Sequence, residues 1–202
     1  MSTRKPTEDR KADIIQATFA LAFEVGPEQV TTGMIAERLG LTQPAIYKHF
    51  PRKEDIWRVA AKILSDQIAA NIALAKDQGA NPIDHLRLLV LGHLRLVFDT
   101  PALPEIMVAR DPRGVRNAVR MEIQSSMTAF SRELTGTIEQ AQADGRLRPE
   151  TEAKDMAALI FGVIQSLVLR MLVTRNPLVL LQDGERLLDL QLSAFAHPGR
   201  EK

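Results

Sequence analysis

The run Met156–Val173 limits the possible fold more than any other segment. It reads Met-Ala-Ala-Leu-Ile-Phe-Gly-Val-Ile-Gln-Ser-Leu-Val-Leu-Arg-Met-Leu-Val. As a helix it is apolar around its whole circumference, and such a helix needs cover on every side. Its charge-free part, Met156–Leu169, is closed by Arg170 and falls short of the ~20 residues that a membrane span requires. It therefore reads as a buried helix of a soluble protein.

The rest of the chain agrees with a helical fold. Apolar residues recur at helical spacing, and there are no alternating β-branched runs or Asn-Gly and Asp-Gly hairpin signals. The expectation is an all-α protein of about nine helices. The first is capped at Thr7, carries Glu8 and Asp9 in its first turn, and stops at Gly26-Pro27; Ile15, Phe19, Ala22 and Phe23 share one face. Further helices are expected over Thr32–Leu39, from Thr42, and over Lys53–Gln78, Ile83–Asp99, Leu103–Ala109, Val115–Ala143, Thr151–Thr174 and Glu185–Ala196. Gly79-Ala80-Asn81-Pro82 reads as a linker. It divides a small N-terminal domain, residues 8–68, from a larger helical bundle, residues 82–197.

Composition excludes much. The chain has no cysteine, hence no disulfide, thiolate metal site or cysteine nucleophile. His49, His85, His93 and His197 lack metal-ligand spacing. No glycine-rich phosphate loop, Ser-His-Asp arrangement or paired-carboxylate pattern supports an enzyme, and no cofactor is expected. The polar start Met1–Arg10 lacks the apolar core of a secretory signal, so a cytoplasmic protein without membrane contact is expected.

The formal net charge is only +1, so any affinity for a polyanion must come from where the charge sits. Over Thr31–Lys53, Arg38, Lys48, Arg52 and Lys53 against Glu37 leave a local +3. The same stretch holds two short helical segments joined by Gly40-Leu41-Thr42. Gly40 is suited to positive φ, Leu41 to plugging the core and Thr42 to capping the second helix. This is the outline of a helix-turn-helix, with Ile35, Leu39 and Ile46 packing the pair onto the first helix. Gln43, Pro44 and Ala45 at the front of the second helix are the candidate base-edge readers: Gln bonds adenine bidentately, and Pro or Ala rests on a thymine methyl. Tyr47 and Lys48 are candidate phosphate anchors, joined by Thr31, Thr32, Thr42, His49 and Lys53. Arg4-Lys5 reads as a frayed terminus rather than a groove-reaching arm.

These residues resemble the DNA-binding signature of the tetracycline-repressor (TetR) family. The matching features are Thr31-Thr32, Ile35-Ala36, Gly40-Leu41-Thr42, Ile46-Tyr47, His49-Phe50 and Lys53-Glu54, within roughly residues 8–68. The resemblance implies a regulator that binds double-stranded operator DNA as a homodimer. It also implies that the C-terminal helices form the dimer and enclose a pocket whose small-molecule effector controls DNA affinity, with repression as the usual outcome.

The C-terminal residues are compatible with both roles. Met156–Val173 and the broad apolar helix around Leu187–Phe195 suit a four-helix isologous interface, with Phe161, Ile164, Leu167, Val168, Met171, Leu188, Leu192 and Phe195 as its expected residues. A pocket for a mainly hydrophobic effector is expected from Leu89, His93, Val97, Phe98, Met107, Met121, Met127 and Phe130, closed by Phe161 and Gln165. His93 stands open between a core histidine and a ligand contact. Arg113, Arg116 and Arg120 share a face that reads as solvated. Two rival readings remain: a ligand-independent or activating regulator, and a helical small-molecule carrier with a vestigial helix-turn-helix.

Overall fold

The structure is a computed structural model that describes residues 7–108 and 117–197. The described residues form nine α-helices: α1 Thr7–Val25, α2 Thr32–Arg38, α3 Gln43–His49, α4 Lys53–Gln78, α5 Pro82–Asp99, α6 Ala102–Val108, α7 Asn117–Ala143, α8 Ala153–Thr174 and α9 Leu178–Phe195. Extended structure among them is confined to an isolated bridge between Leu147 and Ala196. Arg4-Lys5, Arg113, Arg116 and the expected helix start at Val115 lie outside the described residues.

The chain divides into two compact units. One comprises the described residues of Met1–Ser65 and Thr100–Gln124, the other those of Asp66–Asp99 and Ser125–Lys202. In the first unit α1, α2 and α3 pack against one another, and α6 lies on α1. Ile14, Ile15, Phe19, Ala22, Val30, Ile35, Ile46 and Phe50 are buried there. Each large apolar side chain so buried contributes roughly 1.5–3 kcal/mol. Gly26, at φ 89°, ends α1 where a side chain would be strained.

The second unit is organised around α5, α8 and α9, with α9 packed on both of the others. Leu86, Leu89, Leu94, Phe130, Leu134, Ile160, Ile164, Leu167, Met171, Leu180 and Leu188 form its interior. Gly184 lets α9 approach closely, because a Cβ there would come within 2.6 Å of Leu94 Cδ1. Across the same helix pair Arg87 of α5 pairs with Glu185, at 2.8 Å, and with Asp189. The amide of Asn71, on α4, donates to the Leu89 carbonyl at 2.9 Å and so spends its polar group inside the unit.

One helix starts earlier than its sequence suggests. α9 begins at Leu178 rather than at Glu185. Asn176-Pro177 looks like a terminator, yet Asn176 Oδ1 accepts from the Leu178 amide at 3.1 Å and Pro177 sits at φ −65°, a dihedral that feeds a helix. Val179 and Leu180 are buried by the extra turns.

Candidate DNA-binding surface and effector-facing core

The geometry of α2 and α3 follows from a few local bonds. Thr31 caps α2: its backbone is extended and its hydroxyl accepts from the Met34 amide at 3.2 Å, an arrangement worth about 1 kcal/mol. The exit is a Schellman motif. Gly40, at φ 63°, donates to the Glu37 carbonyl (3.1 Å) while Leu41 donates to that of Ala36 (2.8 Å). Thr42 then stands at the N-cap of α3 with extended dihedrals, but its hydroxyl makes no capping bond. It is exposed, and so is free to bond elsewhere. Pro44 lies in the first turn of α3, where its missing N–H costs least.

The pair is pinned from below and across. Ile46 is fully buried and Phe50 nearly so, which points the opposite face of α3 outward. On that face Thr42, Gln43, Pro44 and Lys48 are exposed and Tyr47 is 43% exposed, while Ala45, His49 and Lys53 are half-buried. The Tyr47 hydroxyl lies 3.2 Å from that of Thr32. Thr32 itself is 7% exposed, so it fixes Tyr47 rather than offering a contact surface of its own. The Gln43 amide lies over the first turn of α2, where a Cβ on Gly33 would come within 2.7 Å of Nε2. The Nδ1 of His49, at the end of α3, is buried without a hydrogen-bond partner.

The local charge is smaller than the residues between Thr31 and Lys53 suggest. Arg38 is held by Glu24 of α1 through two bonds, 3.0 and 2.5 Å. Arg52 is held by Asp55 at 3.1 and 3.3 Å. Both acids lie outside Thr31–Lys53. The bond from Arg38 keeps Glu24 below the usual carboxylate range, and Arg52 first, then Arg58, does the same for Asp55. Lys48 is exposed and forms no ion pair among the described residues. It is the cation that the recognition helix carries outward.

In the second unit, three of the expected pocket residues come together. The His93 ring lies 4.7 Å from that of Phe130, whose ring is 6.4 Å from Phe161, so α5, α7 and α8 meet along one aromatic line. His93 is buried, its Nδ1 has no hydrogen-bond partner, and burial pushes its pKa down to about 4. Leu89, Val97 and Phe130 are buried beside this line's elements, and Phe98, Met127 and Phe161 are half-buried. Gln165 is exposed; Met107 and Met121 belong to the first unit, and Met121 is 69% exposed. Met121 and Gln165 share the helical spacing of their neighbours but lie on the outward faces of α7 and α8.

Two protein-family models match this chain. One, described as bacterial regulatory proteins of the tetR family, covers residues 14–59. The other, a tetracyclin repressor-like C-terminal domain, covers residues 108–181. The chain belongs to the TetR family. It is 22% identical to the nucleoid occlusion factor SlmA of a Marinomonas species, over 82% of this chain and 83% of that protein. It is 26% identical to the HTH-type transcriptional regulator TtgR of Pseudomonas putida, over 94% and 93%. Among solved structures, the ketosteroid transcriptional regulator KstR2 of Mycobacterium tuberculosis superposes with a TM-score of 0.75 at 19% identity, covering 93% of this chain and 95% of that one. FadR of Bacillus subtilis, solved in complex with stearoyl-CoA, does so with a TM-score of 0.68 at 19% identity, covering 91% and 98%. The chain is thus a DNA-binding regulator of the TetR type.

In this TetR-family chain most of the expected dimer residues are occupied in packing the single chain. Ile164, Leu167, Met171, Leu188, Leu192 and Phe195 are buried within their own chain, where α8 and α9 pack on each other and on α5. Phe161 and Val168 are half-buried. Apolar surface is left over on the opposite flank of α8, where Leu159, Leu169 and Val173 are 53%, 62% and 76% exposed, and on α9 at Leu178, Leu181 and Leu190. By length and composition α8 is apolar enough to cross a membrane, but a third of its most apolar window is already covered by its own chain. Gly33 and Glu24 also matter to the DNA-facing surface, and the sequence does not single them out. The crowding at Gly33 and the reach of Glu24 from α1 to α2 arise only in three dimensions.

Proposed function

We propose that this regulator is a cytoplasmic, homodimeric, ligand-responsive repressor, with its DNA-binding part over residues 8–68 and its effector-binding and dimerisation part over residues 82–197. The observation that carries the reading is the outward face of α3: Thr42, Gln43, Pro44 and Lys48 are exposed on a helix whose back is anchored by fully buried Ile46. Gln43, Pro44 and Ala45 read base edges in the major groove, while Thr31, Tyr47, Lys48, His49 and Lys53 hold the flanking phosphates. Thr32 acts through Tyr47.

The effector is mainly hydrophobic with one polar group. The buried His93 Nδ1 without a partner supports this, since leaving such an atom unpaired costs about 1–3 kcal/mol that a ligand hydrogen bond would recover. Stearoyl-CoA in the FadR structure and the ketosteroid link in the KstR2 name point to the same class of ligand. The dimer rests on the exposed flank of α8. Leu159, Gly162, Ser166, Leu169 and Val173 recur there at alternating three- and four-residue steps, a self-complementary seam for a twofold copy.

The test is to select operator sequences from a random duplex pool with the purified protein. Affinity for the selected site is then measured while long-chain acyl-CoAs, fatty acids and sterols are titrated in. The expected result is a site with two half-sites, and a ligand that weakens DNA binding and is itself bound more weakly by the DNA-bound protein. A bound ligand that leaves operator affinity unchanged would refute the switch.

A further inference from the structure

We infer that the second unit carries a separate site for a small, multiply charged oxyanion, in a polar cleft where the α4–α5 turn faces α7. The cleft has a volume of about 630 Å³, within the range of roughly 300–1,000 Å³ typical of small-molecule sites. None of its lining residues belongs to the His93 aromatic line or to the exposed flank of α8.

Its charges are unevenly satisfied. Lys76 is paired with Glu133 at 2.8 Å, and Asp144 is already engaged by another group. Arg132 and Arg146 line the same cleft and form no ion pair or hydrogen bond through their guanidinium groups among the described residues. Two guanidinium groups without a partner among the described residues in one concavity favour a ligand with several anionic oxygens, which each can bind bidentately. Beside them, His85 Nε2 is buried without a hydrogen bond, although Glu133 lies 3.3 Å away. The Gln140 amide has no partner among the described residues either. The amides at the start of α5 add no bonds, because Asn81 Oδ1 already accepts from Ile83 and Asp84 at 3.0 and 3.2 Å.

Gly136 points the same way. It lies well inside α7, between Arg132 and Gln140 at steps of four, so all three share one face. A Cβ there would meet nothing within 4 Å, and its φ is not positive. Neither packing nor backbone geometry calls for glycine, although it disfavours the helix by about 1 kcal/mol relative to alanine. What glycine does provide is an open wall between the guanidinium and the amide, where a ligand can lie against the helix backbone.

The experiment is calorimetric titration of the full chain with citrate and with pyrophosphate, at ionic strength held constant with sodium chloride. Saturable binding of either supports the site, and the one bound more tightly decides between carboxylate and phosphate ligands. Pyrophosphate can also meet the basic recognition helix, so the deciding comparison is the double variant Arg132→Gln/Arg146→Gln. It is expected to bind at least tenfold more weakly. Gly136→Gln is expected to do the same with an unfolding midpoint equal to or above that of the parent. Absence of saturable binding by both anions, or binding unchanged in these variants, would overturn the inference.

Discussion

The hydroxyls of Thr32 and Tyr47 stand 3.2 Å apart and join the first turn of α2 to the outward face of α3. Thr32 is buried and Tyr47 half in solvent, so the bond fixes an exposed ring from a rigid base. Thr32→Val keeps the shape and removes the hydroxyl. It is expected to cost about 1 kcal/mol of stability and to weaken binding to all duplexes alike, because the ring then samples more positions. Tyr47→Phe is expected to cost nothing further in the Thr32→Val background. A double-mutant cycle measures this coupling, and additive losses would mean that the two residues act independently.

Lys48 acts by charge rather than by shape. Since Arg38 and Arg52 are committed to Glu24 and Asp55, Lys48→Ala removes the exposed cation that α3 offers to phosphate. Affinity is expected to fall across all sequences, and the slope of log K against log salt to become shallower by about 0.9 for the one lost contact. Gln43→Ala should leave that slope alone and relax discrimination at one base pair, by about 1–3 kcal/mol. Fluorescence anisotropy over a salt series separates the two. An unchanged slope for the Lys48 variant would remove it from the phosphate contacts.

The readability of this surface in the sequence has a physical limit. The turn at Gly40 is local chemistry, a positive φ followed by two hydrogen bonds, so three residues suffice to announce it. The nine helices of the described residues are legible for the same reason, since periodicity needs no partner. Glu24 reaches Arg38 across fourteen positions, and a count of charges between two chosen residues cannot see it. The faces of α8 are ambiguous in the sequence because leucine, valine and methionine surround it. Only the packing of α9 and α5 decides that Leu167 and Met171 point inward while Leu169 and Val173 do not.

His93 predicts an acid sensitivity with a defined sign. Its folded-state pKa is near 4, against 6.5 for an unperturbed histidine, because burial disfavours the imidazolium. Between these values the unfolded chain binds more protons than the folded one, so stability falls as the pH drops from about 6.5 towards 4 and is fully present above that window. The shift corresponds to roughly 3 kcal/mol across the window. Denaturant unfolding at pH 7.5 and 5.0 should show the loss, and His93→Phe should remove most of it, leaving the smaller part due to His85, whose pKa burial also lowers. An effector that hydrogen-bonds His93 should bind the Phe variant at least tenfold more weakly. A pH dependence that survives the substitution undiminished would place the sensitivity elsewhere.

The exposed flank of α8 gives the most direct test of the proposed dimer. Leu169 and Val173 are 62% and 76% exposed in the single chain, so a charge at either position disturbs no intramolecular packing. In a twofold pair each substitution occurs twice near one axis, and Leu169→Glu or Val173→Glu would set like charges together in a desolvated seam, at a cost of several kcal/mol. Light scattering should report a shift from twice the 22.5 kDa chain mass towards the chain mass itself. The unfolding transition of the monomer should persist. Binding to a duplex with two half-sites should fall towards that for one half-site, because the second recognition helix is no longer delivered by the first. Leu167→Ala tests the converse. Leu167 is fully buried within its own chain, so this change should lower stability by about 2–5 kcal/mol through the cavity it leaves. The association of the protein that remains folded should be unaffected. If both glutamate variants stay dimeric, the interface lies on another face.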